Sequence, residues 1–209
     1  MKHALLAAGG LYAITNGPRP DLLEVVAQAL SGGARLLQYL DDEPDDTRRH
    51  AEAVALAGLC QRAGVPFVIH EDVALAKAVG ADGVHLRAVD AIDTARQNLG
   101  SAAIVGVACR DSLADARAAA QAGASYVSFG AMYPSPTKPM ASIAPAELLR
   151  QSAALGVARV AIGGITPENA ALLIEAGADY VASISSLFAA PDVRGTAQRF
   201  ARLFPLPNP

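Results

Sequence analysis

Cysteine is scarce in this chain: Cys60 and Cys109 are the two it has. They share no close-spaced motif, which argues against a CxxC-type zinc or thiol-exchange site. They read as free thiols of a cytosolic protein rather than as a disulfide. Charge of one sign is lacking too. Lys and Arg number 17 against 20 Asp and Glu, a net charge of −3, so there is no broad basic footprint for nucleic acid. No apolar run reaches the roughly 18 residues a membrane span needs. Met1 to Gly10 carries the single cation Lys2. It lacks the length of a signal peptide and reads as a cytosolic start. What is abundant is apolar surface, 52% of 209 residues. That is ample for one domain over residues 1–209, with two small domains as the alternative.

The chain has a rhythm. A glycine after an alanine-rich, helix-spaced segment keeps preceding a short apolar run: GARLLQYL at Gly33, GVPFVIH at Gly64, GADGVHL at Gly80, GASYVSFG at Gly123, GVARVAIGG at Gly156 and GADYVASIS at Gly177. Such a glycine takes the left-handed conformation that ends a helix. The apolar run after it is too short for a helix and reads as a strand buried on both faces. Strands are expected near Leu11–Thr15, Arg35–Leu40, Pro66–His70, Gly83–Leu86, Ile104–Cys109, Tyr126–Gly130, Arg159–Gly163 and Tyr180–Ser185. Helices are expected near Asp21–Leu30, Thr47–Arg62, Val73–Val79, Ala91–Leu99, Ser112–Gln121, Pro145–Leu155, Pro167–Glu175 and Gly195–Leu203. The repeated alternation predicts an α/β fold, a closed parallel (β/α)8 TIM barrel. The rival is an open doubly wound sheet.

In a barrel of this kind, active sites sit at the C-terminal ends of the strands. The residues there are Asn16; Gln38, Asp41 and Asp42; His70, Glu71 and Asp72; Arg87 and Asp90; Arg110; the loop Ala131–Ile143; Gly163 and Gly164; and Ser185 and Ser186. The stretch VAIGGITPENA at Val160 suggests a phosphate site. Its two glycines would let an anion reach the backbone, Thr166 suits an N-cap and Pro167 suits the first helical position. Ser185 and Ser186 end the neighbouring strand. A tight turn with a helix cap is the plainer reading. GAMYPSPTKPMAS is the one long connection, and long loops in compact domains tend to be lids or binding loops. It carries Ser135, Thr137 and the cation Lys138.

Together these segments resemble the thiamine phosphate synthase family: GGLYAIT at Gly9, GGARLLQY at Gly32, EDVALAKAVGADGVHL at Glu71, GASYVSFGAMYPSPTKP at Gly123 and VAIGGITPENA at Val160. The resemblance covers nearly the whole chain. It implies a Mg²⁺-dependent transferase of thiamine biosynthesis. Such an enzyme joins hydroxymethylpyrimidine diphosphate to thiazole phosphate, giving thiamine phosphate and diphosphate. It also implies phosphorylated small molecules as partners, with no nucleic acid and no membrane; homo-oligomerisation stays open. Gly163, Gly164, Ser185 and Ser186 then match the thiazole phosphate site. Ser135, Thr137 and Lys138 match the substrate-contacting loop, with Ser135 in place of a threonine. Gln38 matches a pyrimidine-site glutamine, and Tyr12 lies in the first strand.

The diphosphate end departs from the family. Gln-x-Arg-x-Lys becomes Gln38-Tyr39-Leu40-Asp41-Asp42, a charge change from +2 to −1 summed over the two replaced positions, 40 and 42. Asn-Asp becomes His70-Glu71. Asp90, the family's second Mg²⁺ ligand, is present 19 positions after Glu71, so Glu71 and Asp90 are the expected metal pair. A family histidine is replaced by Arg110. Arg87 and Arg110 are candidates to replace the lost cations as a bidentate clamp on diphosphate, the alternative being two exposed surface arginines. Catalytic roles are expected for Lys138, Arg110 and His70. Asp72 is expected to cap the helix that begins at Val73. Two other readings are a thiazole phosphate tautomerase and a non-catalytic thiamine phosphate-binding protein.

Overall fold

The computed structural model describes residues 3–135, 140 and 142–204. Its eight strands are β1 (Gly10–Ile14), β2 (Ala34–Tyr39), β3 (Phe67–His70), β4 (Gly83–Leu86), β5 (Ile104–Arg110), β6 (Tyr126–Phe129), β7 (Ala158–Ile162) and β8 (Tyr180–Ser183). They pair in parallel in chain order, and β1 pairs with β8, so the barrel closes. Closure decides against the open sheet.

Around the barrel lie α1 (Leu22–Ser31), α2 (Asp46–Ala63), α3 (Val73–Val79), α4 (Ile92–Leu99), α5 (Leu113–Gln121), α6 (Glu147–Gln151), α7 (Ala170–Glu175), α8 (Ser185–Phe188) and α9 (Val193–Ala201). Side chains alternate along each strand, so every strand feeds two cores. Leu37, Phe67, Ile69, Val84, Val107 and Val127 face outward and pack with Val26, Leu56 and Phe200 of the helices. Tyr12, Leu36, Val68, Ile104, Tyr126, Val160 and Tyr180 fill the interior. Leu6, on a short 3-10 turn before β1, joins that interior cluster and plugs its base.

The helix ends follow the sequence logic. Asp72 Oδ1 accepts from Leu75 N–H at 2.8 Å and caps α3 as expected. Gly64 and Gly80 end α2 and α3 with φ of 65°. Three expectations change. The helix expected over Pro145–Leu155 is α6 plus a 3-10 turn, Ala153–Leu155, broken at the buried Ser152. α7 begins at Ala170, not at Pro167, and Thr166 does not cap it. Instead Asn169 Oδ1 accepts from Thr166 N–H at 2.9 Å and closes a turn that delays the regular helix. β8 stops at Ser183, and the next residues coil into α8 so that Leu187 and Phe188 are buried.

Candidate active site

The barrel interior holds a continuous polar chain that runs from Tyr126, the first residue of β6, to His70, the last of β3. Tyr12 Oη donates to Gln38 Oε1 at 2.5 Å and lies 2.7 Å from Tyr126 Oη. Tyr126 Oη is 2.9 Å from His85 Nδ1, and Gln38 Nε2 is 3.0 Å from His70 Nδ1. The rings reinforce the contacts: His85 stacks on Tyr126 at 5.6 Å, and His70 on His85 at 6.0 Å. The residue opposite the Tyr126 ring must be small. A Cβ at Gly106 would lie 1.9 Å from it. Burial raises the Tyr12 and Tyr126 phenols well above their ordinary range. Burial, with His70 and Arg87 adding to it, pushes His85 down to about 3, so this imidazole is neutral. Gln38 and Tyr12 are therefore members of the wall, and both polar ends of the Gln38 amide are engaged.

Towards the mouth the wall becomes ionic. A hollow of about 320 Å³ is lined by Asp41, Asp42, Glu43, Pro44, Arg49, His70, Glu71 and Asp72. Glu71 follows β3 with φ of 59°, a left-handed conformation costing a non-glycine residue roughly 1–2 kcal/mol. In that conformation its carboxylate accepts from Arg87 N–H, which ties the end of β3 to the end of β4. The Arg87 guanidinium lies 3.6 Å from the Asp42 carboxylate, both groups exposed. Arg87 is thus at the mouth, paired with Asp42. Arg110 is exposed at the end of β5, with φ of 52°. Asp90 is exposed on a 3-10 turn, Val89–Ala91.

Asp41 corrects the rim reading. Its side chain is buried and bonded to Arg48, with Glu43 N–H donating at 2.9 Å and Tyr39 Oη at 3.2 Å. Burial raises its carboxyl, but the bonds from Arg48 and Glu43 outweigh that, and the net shift is downward. Asp41 anchors the β2–α2 loop and does not face the hollow as a free charge. Among the described residues, no group of three His, Cys, Asp or Glu side chains is gathered for a metal.

The opposite half of the mouth is built from backbone. A Cβ on Gly163 would lie 2.7 Å from Ala131, and one on Gly164 2.5 Å from the Tyr133 carbonyl. The bare glycines admit the loop after β6, which is fastened by Met132 N–H to Ile162 O and Tyr133 N–H to Gly163 O, both 3.0 Å. Ser186 Oγ donates to Ile165 O at 2.5 Å and lies 2.6 Å from Ser183 Oγ, joining the ends of β7 and β8. Ser185 is exposed at the start of α8, and Ser135 is half-buried on the loop. Thr137 and Lys138 lie outside the described residues.

Three contributors were not singled out from sequence. His85 and Tyr126 sit inside quoted strands, GVHL and SYVSFG, at alternate positions that face inward; a polar residue on an interior face was the available signal. Arg19 had no such signal. It chelates Asp21 at 2.6 and 2.8 Å and donates to Phe188 O at 2.7 Å, holding α8 against the β1–α1 loop. A larger hollow, about 580 Å³ around Leu5, Val54 and Phe67, opens at the base of the barrel. It lacks the convergent titratable groups of the mouth, and the base of this fold serves stability.

A closed parallel barrel with titratable groups gathered at the C-terminal mouth is the (β/α)8 arrangement on which active sites are built. The family model for thiamine monophosphate synthase matches residues 11–187. The chain is 53% identical over 201 residues to the thiamine-phosphate synthase of Thiobacillus denitrificans, covering 94% of this chain and 95% of that one. It is 48% identical over 208 residues to the enzyme of the same name from Nitrosococcus oceani, covering 96% of each. The solved thiamine phosphate pyrophosphorylase of Pyrococcus furiosus superposes with a TM-score of 0.84 at 30% identity, over 95% of this chain and 96% of that one. The chain belongs to the thiamine monophosphate synthase family.

Proposed function

We propose that the protein is a thiamine-phosphate synthase of thiamine biosynthesis. The observation that carries the reading is the identity of about half the residues to named synthases along nearly the whole chain. In the reaction, the bond between the pyrimidine methylene carbon and diphosphate breaks, and the electron pair leaves on diphosphate. The thiazole nitrogen then uses its lone pair to form the new carbon–nitrogen bond. What the protein supplies is position and charge. Gly163, Gly164 and Ser185 receive the thiazole phosphate at the backbone-built half of the mouth, with Ser135 on the neighbouring loop; Thr137 and Lys138, outside the described residues, are assigned to the same substrate by the resemblance alone. Tyr12, Gln38 and His70 form the wall beside the pyrimidine. Arg87 and Arg110 hold the departing diphosphate.

The donors of Glu71 and Asp90 suit Mg²⁺ in kind, since both are hard carboxylate oxygens. Mg²⁺ is commonly held by one or two carboxylates, with water and substrate phosphates completing its shell. When bound, it would neutralise charge developing on the leaving group. The proposal places the reaction in the cytoplasm, in keeping with the free, buried thiols of Cys60 and Cys109. No helix of the described residues is long and apolar enough to cross a membrane.

One observation favours a second reading, a thiazole phosphate tautomerase or a silent binder. The diphosphate side carries Leu40 and Asp42 in place of two cations, and Asp42 engages Arg87. One assay separates them. The purified protein is incubated with hydroxymethylpyrimidine diphosphate, thiazole phosphate and Mg²⁺, and thiamine phosphate is the expected product. Folded protein that binds thiazole phosphate and forms no product rejects the synthase reading.

A further inference from the structure

The turn after β7 uses its backbone acceptors and donors unevenly. Every carbonyl from Gly163 to Thr166 is taken up inside the protein. Tyr133 N–H donates to Gly163 O at 3.0 Å, and Asn169 Nδ2 to Gly164 O at 3.0 Å. Ser186 Oγ donates to Ile165 O at 2.5 Å. The N–H groups of Asn169 and Ala170 donate to Thr166 O at 3.2 and 3.1 Å. The donors of the turn are not matched in this way. Thr166 N–H reaches Asn169 Oδ1 at 2.9 Å, but the N–H groups of Gly164 and Ile165 meet no acceptor among the described residues. A turn with its carbonyls engaged and two donors left over is the complement of an anion.

Asn169 enforces part of this arrangement. A backbone N–H can only donate and a carbonyl can only accept, so Oδ1 must face Thr166 and Nδ2 must face Gly164. The second bond acts across a peptide plane. The Gly164–Ile165 peptide is trans, and in a trans peptide the C=O and the following N–H point in opposite directions. Ile165 N–H therefore points away from Asn169, the residue that leads into α7. Gly164 has no side chain to hold that plane and sits at φ of 65°, so a bond from outside is what fixes it. Tyr133 Oη donates to Asn169 O at 3.0 Å and ties the same residue to the loop after β6. We propose that Asn169 is a positioning residue: by donating to Gly164 O it aims Ile165 N–H at the phosphate of a small phosphorylated ligand. That this ligand is thiazole phosphate rests on the synthase reading; the pairing of the backbone groups does not.

The test is proton–nitrogen correlation on the full chain labelled with nitrogen-15 isoleucine, with calorimetric titration alongside. On saturation with thiazole phosphate, Ile165 N–H is expected to move downfield as it gains an anionic acceptor. In Asn169→Ala that movement should shrink, and thiazole phosphate should bind about tenfold more weakly. Affinity for hydroxymethylpyrimidine diphosphate should stay as in the wild type. A purely structural role would lower the unfolding midpoint and leave the ratio of the two affinities unchanged. An Ile165 N–H unmoved at saturation, or full thiazole phosphate affinity in folded Asn169→Ala, overturns the proposal. Should Asn169→Ala not fold, Asn169→Asp takes its place. It keeps an acceptor for Thr166 N–H and offers no proton to Gly164 O, so full affinity in that variant overturns the proposal. Inorganic phosphate is the second probe. Ile165 movement with inorganic phosphate, in a protein that binds no thiazole phosphate, would reject the synthase reading and leave Asn169 in this role. No movement with either probe overturns the proposal, whatever the assay for thiamine phosphate gives.

Discussion

The two halves of the mouth are held by different forces. At the ends of β7 and β8, Gly163, Gly164, Ser183 and Ser186 are joined by backbone bonds and short hydroxyl contacts. At the ends of β2, β3 and β4, Asp41, Asp42, Glu71, Arg48 and Arg87 are joined by charge. A backbone-built site tolerates almost no added atom, because the carbonyls opposite cannot move aside. An ionic site tolerates substitution more readily, because exposed charges re-pair at little cost. That difference sets which substitutions each half can absorb.

The largest effect should come from adding one carbon to the rigid half. In Gly164→Ala the new Cβ meets the Tyr133 and Pro134 carbonyls at 2.5 and 2.7 Å, at a φ of 65°. Left-handed strain and overpacking together should cost about 2–5 kcal/mol. Urea unfolding should show that loss, and thiazole phosphate affinity should fall with it. An unchanged midpoint and affinity would mean that the glycines do not shape this half.

The complementary change rebuilds the ionic half. Leu40→Arg with Asp42→Lys changes the summed charge of positions 40 and 42 from −1 to +2. A charge-assisted contact to phosphate is worth about 1.5–3 kcal/mol, roughly tenfold or more for each. The double variant should bind inorganic diphosphate at least tenfold more tightly, and the gain should shrink with added salt. No gain would show that Arg87 and Arg110 already supply what the chain lost after β2.

How far the sequence revealed these halves follows from the same difference. Glycine after an alanine-rich segment, then a short apolar run, located six of the eight strands, because chain reversal and burial are local demands. The same local demand identified Asp72 as the α3 cap. Ionic partners are not local. Asp41 reads as a rim carboxylate by position, and only the packing of α2 shows it buried beside Arg48. Arg19 reaches Phe188 across 169 positions. Strand alternation places His85, Tyr126 and Tyr12 on the inner face, but a period of two says nothing of which neighbour each will meet. α8 was hidden because Ser-Ser-Leu-Phe continues an apolar strand as well as it starts a helix.

The smallest of these effects concerns the buried anchor of the ionic half. Asp41 has its folded-state carboxyl held below the ordinary value of 3.8, burial working against this and Arg48 and the Glu43 N–H prevailing. A depressed carboxyl stabilises the fold above the unfolded value and ceases to do so as pH falls through the folded one. The Asp41 contribution is therefore complete at neutral pH and fades below about pH 4. Asp41→Asn should cost about 2 kcal/mol at pH 7, less than for a fully buried pair because Arg48 retains 27% side-chain exposure. The gap between the two proteins should narrow as pH drops under 4, which unfolding in urea across that range would measure. A gap that stays constant would assign Asp41 a role in packing alone. The Arg48 bridge would then add little to the β2–α2 loop, and the ionic half would be held by its exposed pairs.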